Sequence, residues 1–228
     1  MGLTSTIVKA NPCVGIGRRS PKVQRTRTPT DKELATLWAA TESDAGKLSM
    51  SVCLIIQLAI LTAQRRTEVA GVRVSELQGL ETDAAVWVIP GDINKRGIII
   101  EGRTKNGREQ RVPLSTQAAK LFRKAVSLSA ASEYVFPADL RRVKIGKAPR
   151  TPHIHGESVT MAMRRLRTYS GVEDISIHDM RRAVSNWLKD QGVSREVRDL
   201  VLNHKDPSVT EAHYSNAARM GRQVRAAL

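Results

Sequence analysis

Ser176-Ile177-His178-Asp179-Met180-Arg181-Arg182 opens as helices open. Ser176 is followed three residues later by Asp179, the reciprocal pairing of a capping box, so the stretch predicts a helix over about 178–191. Residues three apart on a helix are neighbours, which puts His178 and Arg181 on one face of its first turns. A helix N-terminus offers free backbone N–H groups and the positive end of the dipole, and it favours a bound phosphate. Here an imidazole and a guanidinium would flank it. Standing alone, the stretch would be read as an ordinary helix start with solvated basic residues.

Working outward, two other segments carry the same theme. Leu61-Thr62-Ala63-Gln64-Arg65-Arg66-Thr67-Glu68-Val69 follows directly on residues 48–61, a helix apolar nearly all round and therefore central to the fold. Arg65 thus emerges at the edge of a core, a rigid mount for a side chain whose planar fork donates two parallel hydrogen bonds to a phosphate. Glu68 either holds Arg65 in place or makes a modest surface ion pair with it. Downstream, Leu200-Val201-Leu202-Asn203-His204 leads through Lys205–Thr210 to Glu211-Ala212-His213-Tyr214.

Between these helical parts the texture changes. Val86–Ile89, Gly97–Ile100 and Gln110–Pro113 alternate as short strands separated by Gly and Asn, and Asn106-Gly107 is a strong turn signal. A small antiparallel sheet inside a helical protein is expected. Further helices are expected near 30, through Glu68 and Val69, and at about 115–129, 157–169, 194–203 and 216–227. The fold class is therefore α+β, mainly α.

Taken in order, Arg65 in an L-T-x-x-R-x-x-E setting, a hairpin Lys before R-V-P-L, H-D-x-R-R, L-x-H and a Tyr ten residues later resemble the phage-integrase family of tyrosine site-specific recombinases. The resemblance runs from about residue 30 to 218, the extent of that family's catalytic domain. Each motif alone is weak; five in sequence order are specific. The resemblance implies that Tyr214 is the nucleophile and that Arg65, Lys105, His178, Arg181 and His204 complete the site. It implies a recombinase that cleaves and rejoins DNA through a 3′-phosphotyrosyl intermediate, needs no cofactor or metal, and integrates or excises a mobile element.

The chemistry of these residue types agrees. A phenol with pKa about 10 is roughly 0.1% ionised at neutral pH and needs an electropositive pocket or a base to attack phosphorus. Arg forks and His donors stabilise the charge gathering on the phosphoryl oxygens. A departing 5′ alkoxide needs a proton, and a Lys on a hairpin can deliver it. Lys105, just before the Asn106-Gly107 turn, is the expected acid, with Lys95 its rival because the stretch from Pro90 to Arg103 is longer than a compact hairpin. His153 and His155 are read as loop or DNA-facing residues, His213 is unassigned, and Trp38, Trp87 and Trp187 are read as packing residues.

Composition bounds the alternatives. The 228 residues carry 37 Lys and Arg against 22 Asp and Glu, a formal charge of +15, which favours a polyanionic partner, DNA first and an anionic membrane surface second. The longest apolar run is too short for a membrane span, and the two cysteines, Cys13 and Cys53, build no disulfide framework. A cytoplasmic, nucleoid-associated protein encoded by a bacterium or phage is expected. A type IB topoisomerase shares the chemistry; a basic nucleic-acid-binding module would explain the charge but not five ordered motifs.

Residues 1–29, basic and marked by Asn11-Pro12, Gly15, Gly17 and Ser20-Pro21, read as a linker, and 30–228 as the catalytic domain. The resemblance implies a preceding helical core-binding domain, so a fragment or truncated form of a longer recombinase is expected. Met220, Val224 and Leu228 share one helical face. In the family such a tail packs on a neighbouring protomer, and a homotetramer on double-stranded DNA, monomeric when alone, is expected.

Overall fold

The structure is a computed structural model, and it describes residues 25–43, 47–95, 98–100, 102–138 and 151–204. Tyr214, His213, the expected helix at 216–227 and the linker up to residue 24 lie outside the described residues. So does Cys13, while Cys53 is buried.

Helix α1 (Asp31–Glu42) starts at Thr30, whose hydroxyl accepts from the Glu33 amide while Glu33 reaches back to the Thr30 amide. Helix α2 (Met50–Thr62) has no polar stripe: eight consecutive residues from Val52 to Ala59 are buried, as its sequence requires of a helix packed on several sides. It touches α1, the short α3 (Arg66–Ala70), α4 (Thr116–Leu128), α5 (Gly156–Ser170) and α6 (Ile177–Asp190), and so forms the axis of the domain. Helix α7 (Arg195–Val201), capped by Ser194, closes a second small cluster in which Leu188, Val197, Val201 and Leu202 surround Ala63. Among the described residues no helix is long and apolar enough to cross a membrane.

The sheet differs from the sequence expectation in one respect. β1 (Leu77–Gln78), β2 (Val86–Ile89) and β5 (Gln110–Pro113) form a three-stranded antiparallel sheet in the order β1-β2-β5, with Val86 opposite Pro113 and Ile89 opposite Gln110. The isoleucine strand β4 (Ile98–Ile100) does not join it. It pairs with β3 (Ile93–Lys95) as a separate hairpin. The reason lies at the neck, where the Arg103 amide donates to the Pro90 carbonyl (2.8 Å) and the Asp92 amide to the Gly107 carbonyl (2.7 Å). The chain therefore leaves the β2–β5 ribbon, makes the hairpin and returns. Gly91 and Gly102 cross backbone on backbone at this point, and a Cβ on either would collide with main-chain atoms.

Trp87 is fully buried against Phe122, ring centroids 5.7 Å apart. Trp38 is half-buried and donates to Glu42 (2.9 Å). Trp187, read as packing from its spacing, is instead 46% exposed. Beyond Ala183 helix α6 has left the main core, and Leu188 takes the inward seat in the smaller cluster.

Candidate active site

The first site residue is built by the end of α2. Ala63 caps that helix in the left-handed conformation (φ 53°), which turns the chain so that Arg65 opens α3. Glu68 then grips Arg65 twice: one carboxylate oxygen accepts from the Arg65 amide (2.9 Å) and the other from its Nη1 (2.7 Å). With 2% of its side chain exposed, Glu68 makes no surface ion pair of small worth but a fixed brace. The Arg65 head remains partly open.

Arg181 is held more tightly. Its position in the second turn of α6 follows from the capping box, where the Ser176 hydroxyl accepts from the Asp179 amide and the Asp179 carboxylate accepts from the Ser176 amide (2.9 Å) and hydroxyl (2.8 Å). Nη1 of Arg181 donates to the Ala63 carbonyl and Nη2 to the Leu202 carbonyl, so one guanidinium ties the end of α2 to the end of α7. It is 5% exposed. Burial first, then the Arg65 charge, push its pKa down to about 10, with Glu68 opposing.

The two imidazoles sit in the same field. Burial and the charge of Arg181 hold the His178 ring below its ordinary pKa of 6.5, with Arg182 and Arg65 adding to the effect and Asp179 opposing it. Burial and Arg181 do the same for His204, against the pull of Asp199, whose carboxylate lies 3.4 Å from Nδ1. The His204 amide also donates to the Asp199 carbonyl (2.9 Å), which fixes the residue as it leaves α7. Across 140 residues of chain, Arg65 and Arg181 are thus brought within electrostatic reach of each other and of both His178 and His204.

Lys105 is exposed in the turn Thr104–Gly107, which the Gly107 amide closes on the Thr104 carbonyl (3.2 Å). Its rival Lys95 lies in β3, on the far side of the Gly91–Gly102 neck. His153 and His155 serve local structure: His155 caps α5 by accepting from the Glu157 amide (3.2 Å), and His153 lies against Tyr134.

Several supporting residues escape the sequence reading. The last carbonyls of α7 lack partners within the helix, and side chains from three other parts of the chain meet carbonyls at its end and just beyond it. Gln64 donates to the Val201 carbonyl (2.8 Å), Gln110 to Val201 (3.0 Å) and Leu200 (3.4 Å), and Asn106 to Asn203 (3.2 Å). Arg103 donates to both Glu76 oxygens (2.7 and 2.6 Å) and to the Glu68 carbonyl (3.2 Å), linking the Lys105 turn to the Arg65 mount. Arg25 reaches the Asp179 carboxylate (2.8 Å) and Asp174 (3.0 Å), fastening the incoming chain to the start of α6. No motif spacing marks their supporting roles; only Gln64 and Asn106 stand beside a catalytic candidate.

A profile of the phage integrase family matches residues 28–220. The chain belongs to that family. Solved structures of similar fold include the integrase of mycobacterium phage Brujita, 18% identical with a TM-score of 0.60 over 95% of this chain and 63% of that one. They include a lambda integrase tetramer bound to a Holliday junction, 17% identical with a TM-score of 0.57 over 89% and 54% of the two chains. A third is the XerH site-specific recombinase bound to its difH substrate, 13% identical with a TM-score of 0.57 over 84% and 53%. At these identities the likeness establishes the fold of a phage integrase catalytic domain. The chain spans about half to two thirds of these longer proteins. A search of curated proteins by sequence finds no match.

Proposed function

We propose that the protein is a site-specific DNA recombinase in which Tyr214 attacks a backbone phosphodiester and Arg65, Lys105, His178, Arg181 and His204 complete the site. The observation that carries this reading is that the Arg65 and Arg181 charges bear on both the His178 and the His204 ring, and Arg65 on Arg181. Burial and Arg65 together push Arg181 down to about 10, a cost that an anion placed between the two forks would reverse.

In the proposed reaction the Tyr214 oxygen bonds to phosphorus, the P–O5′ bond breaks, and its electron pair stays on the 5′ oxygen. Lys105 delivers a proton there, leaving a free 5′ hydroxyl and a 3′-phosphotyrosyl link. The tyrosine proton passes to a neighbouring base, the neutral ring of His178 or His204. Attack by the 5′ hydroxyl of another strand reverses these steps and rejoins the DNA. Arg65 and Arg181 hold the non-bridging oxygens throughout, each such preorganised donor contributing on the order of 10²-fold in rate.

Residues 30–228 serve in this reading as the catalytic domain and 1–29 as the basic linker into it. Double-stranded DNA is the substrate, a homotetramer the working assembly, and the 220–228 segment a contact between protomers. The DNA-bound states of the lambda integrase and XerH structures support the choice of partner.

The test incubates the protein with short duplexes of randomised sequence, each nicked so that the cleaved end diffuses away. Adducts that survive SDS are recovered and sequenced, and the duplex is remade. Adduct formation lost in Tyr214→Phe, and strand exchange between two plasmids carrying the recovered site, are expected. An adduct that persists in Tyr214→Phe, or a pool that yields none, would overturn the reading.

A further inference from the structure

Asn106 does two things. Its Oδ1 accepts from the Arg108 amide (3.1 Å), bracing the turn that carries Lys105. Its Nδ2 donates outward, to the Asn203 side-chain oxygen (2.6 Å) and to the Asn203 carbonyl (3.2 Å). Asn203 is the residue before His204, and its own backbone is left-handed (φ 46°), a conformation that Asn tolerates and most residues avoid. A residue 97 positions away in sequence therefore joins the turn bearing one candidate catalytic group to the bend bearing another.

The rest of the hairpin explains why such a tie is needed. Lys105 sits on an exposed turn, and a long, flexible lysine chain on an unanchored turn would spread its ammonium over many positions. Proton transfer to a leaving oxygen requires the donor within hydrogen-bond reach of it. Gln110 fixes the start of β5 against α7, through Val201 and Leu200, but it lies five residues from Lys105. Asn106 is adjacent.

We propose that Asn106 is a positioning residue, which by tying the Lys105 turn to Asn203 holds the Lys105 ammonium where it can protonate the departing 5′ oxygen. This rests on the recombinase reading above. As the P–O5′ bond breaks, the electron pair goes to O5′, the proton passes from Lys105 Nζ to O5′, and Lys105 is left a neutral amine. A sulfur in place of O5′ leaves as a thiolate, since a thiol with pKa about 8.5 needs no proton to depart at neutral pH.

That difference gives a readout which a merely structural role would not move. Two nicked duplexes of the recovered sequence are prepared, one with the natural 5′ oxygen and one with a 5′-bridging sulfur, and covalent adducts are timed for wild type, Lys105→Ala, Asn106→Ala and Asn203→Gly. Lys105→Ala and Asn106→Ala are expected to slow adduct formation at least about 10-fold on the oxygen duplex and less than about 3-fold on the sulfur duplex. Asn203→Gly keeps the left-handed bend and the carbonyl while removing the 2.6 Å bond, so a smaller defect confined to the oxygen duplex is expected.

Equal slowing of Asn106→Ala on both duplexes, or no slowing on either, would overturn the positioning role, as would a Lys105→Ala defect that sulfur does not relieve. If Asn106→Ala melts early, Asn203→Gly decides in its place. Failure of the wild type on both duplexes would sink the recombinase reading itself, a distinct result.

Discussion

The Arg181 guanidinium donates to the carbonyl of Ala63, the residue whose left-handed backbone ends α2. Position 203, just before His204, is left-handed as well (φ 46°). Both bends aim a carbonyl or a side chain at the site, and both hold a residue other than glycine.

Ala63 should therefore tolerate one substitution and not its neighbours in size. Ala63→Gly relieves about 1 kcal/mol of left-handed strain but removes a methyl from the small cluster, costing about 0.8 kcal/mol. The two nearly cancel, so unfolding in urea should shift by less than about 1 kcal/mol. Ala63→Val puts a β-branched residue in the same conformation and overfills the cluster, and a loss of about 2 kcal/mol or more is expected.

Glu68→Gln separates positioning from folding. The amide keeps one acceptor and turns a donor toward Arg65, whose head loses its 2.7 Å partner. Adduct formation at saturating DNA should fall about 10- to 100-fold, as for a misplaced clamp. Glu68→Asp, one methylene short, should fail to restore it. A Glu68→Gln enzyme as fast as wild type would remove Arg65 orientation from the account of the site.

Binding of DNA should take up protons. In the free protein burial and Arg181 hold both imidazoles below 6.5, so both rings are neutral at pH 7. A phosphate between them reverses the field and raises their values. Below pH 7 the complex therefore binds protons that the free protein does not, and affinity should rise as pH falls toward 6. Calorimetric titrations in buffers of different ionisation enthalpy measure the uptake. Slopes indicating no uptake at pH 6 would place the phosphate elsewhere.

Arg25→Ala should weaken the protein to acid. Burial pushes the Asp179 carboxyl up, but the Ser176 amide and hydroxyl and Arg25 outweigh it and hold it below 3.8. Its contribution is thus complete above that ordinary value and lost as pH falls through the lowered one. Removing Arg25 takes away part of the lowering. The acid midpoint followed by circular dichroism should move to higher pH. Because the Arg25 side chain is 42% exposed, solvent screens the pair and the change at neutral pH should be small.

What could be read from sequence alone was whatever depends on local chemistry. The capping box at Ser176, the all-apolar α2 and the turn at Asn106-Gly107 each carry their signal within four to a dozen residues, and each is where it was expected. Strand pairing has no such signal. Ile98–Ile100 reads as a core strand by composition, and only the Gly91–Gly102 crossing diverts it into its own hairpin. Trp187 shows the same limit, since its helical face is right but the core it should meet ends before it. The bracing roles of Gln64, Gln110 and Asn106 have no local signal for a related reason: the carbonyls they meet lie at or just beyond the end of a helix remote in sequence.

Because the Gly91–Gly102 junction is made by main chain and by the Asp92 carboxylate, which accepts from the Gly102 amide (2.7 Å), its geometry does not depend on what hangs beyond it. The 93–100 hairpin can be shortened, exchanged or used to carry a fluorophore while the β2–β5 ribbon and the lysine turn keep their places. Either glycine is the opposite case, since any side chain there would wedge the ribbon open at its root and swing the Lys105 turn with it.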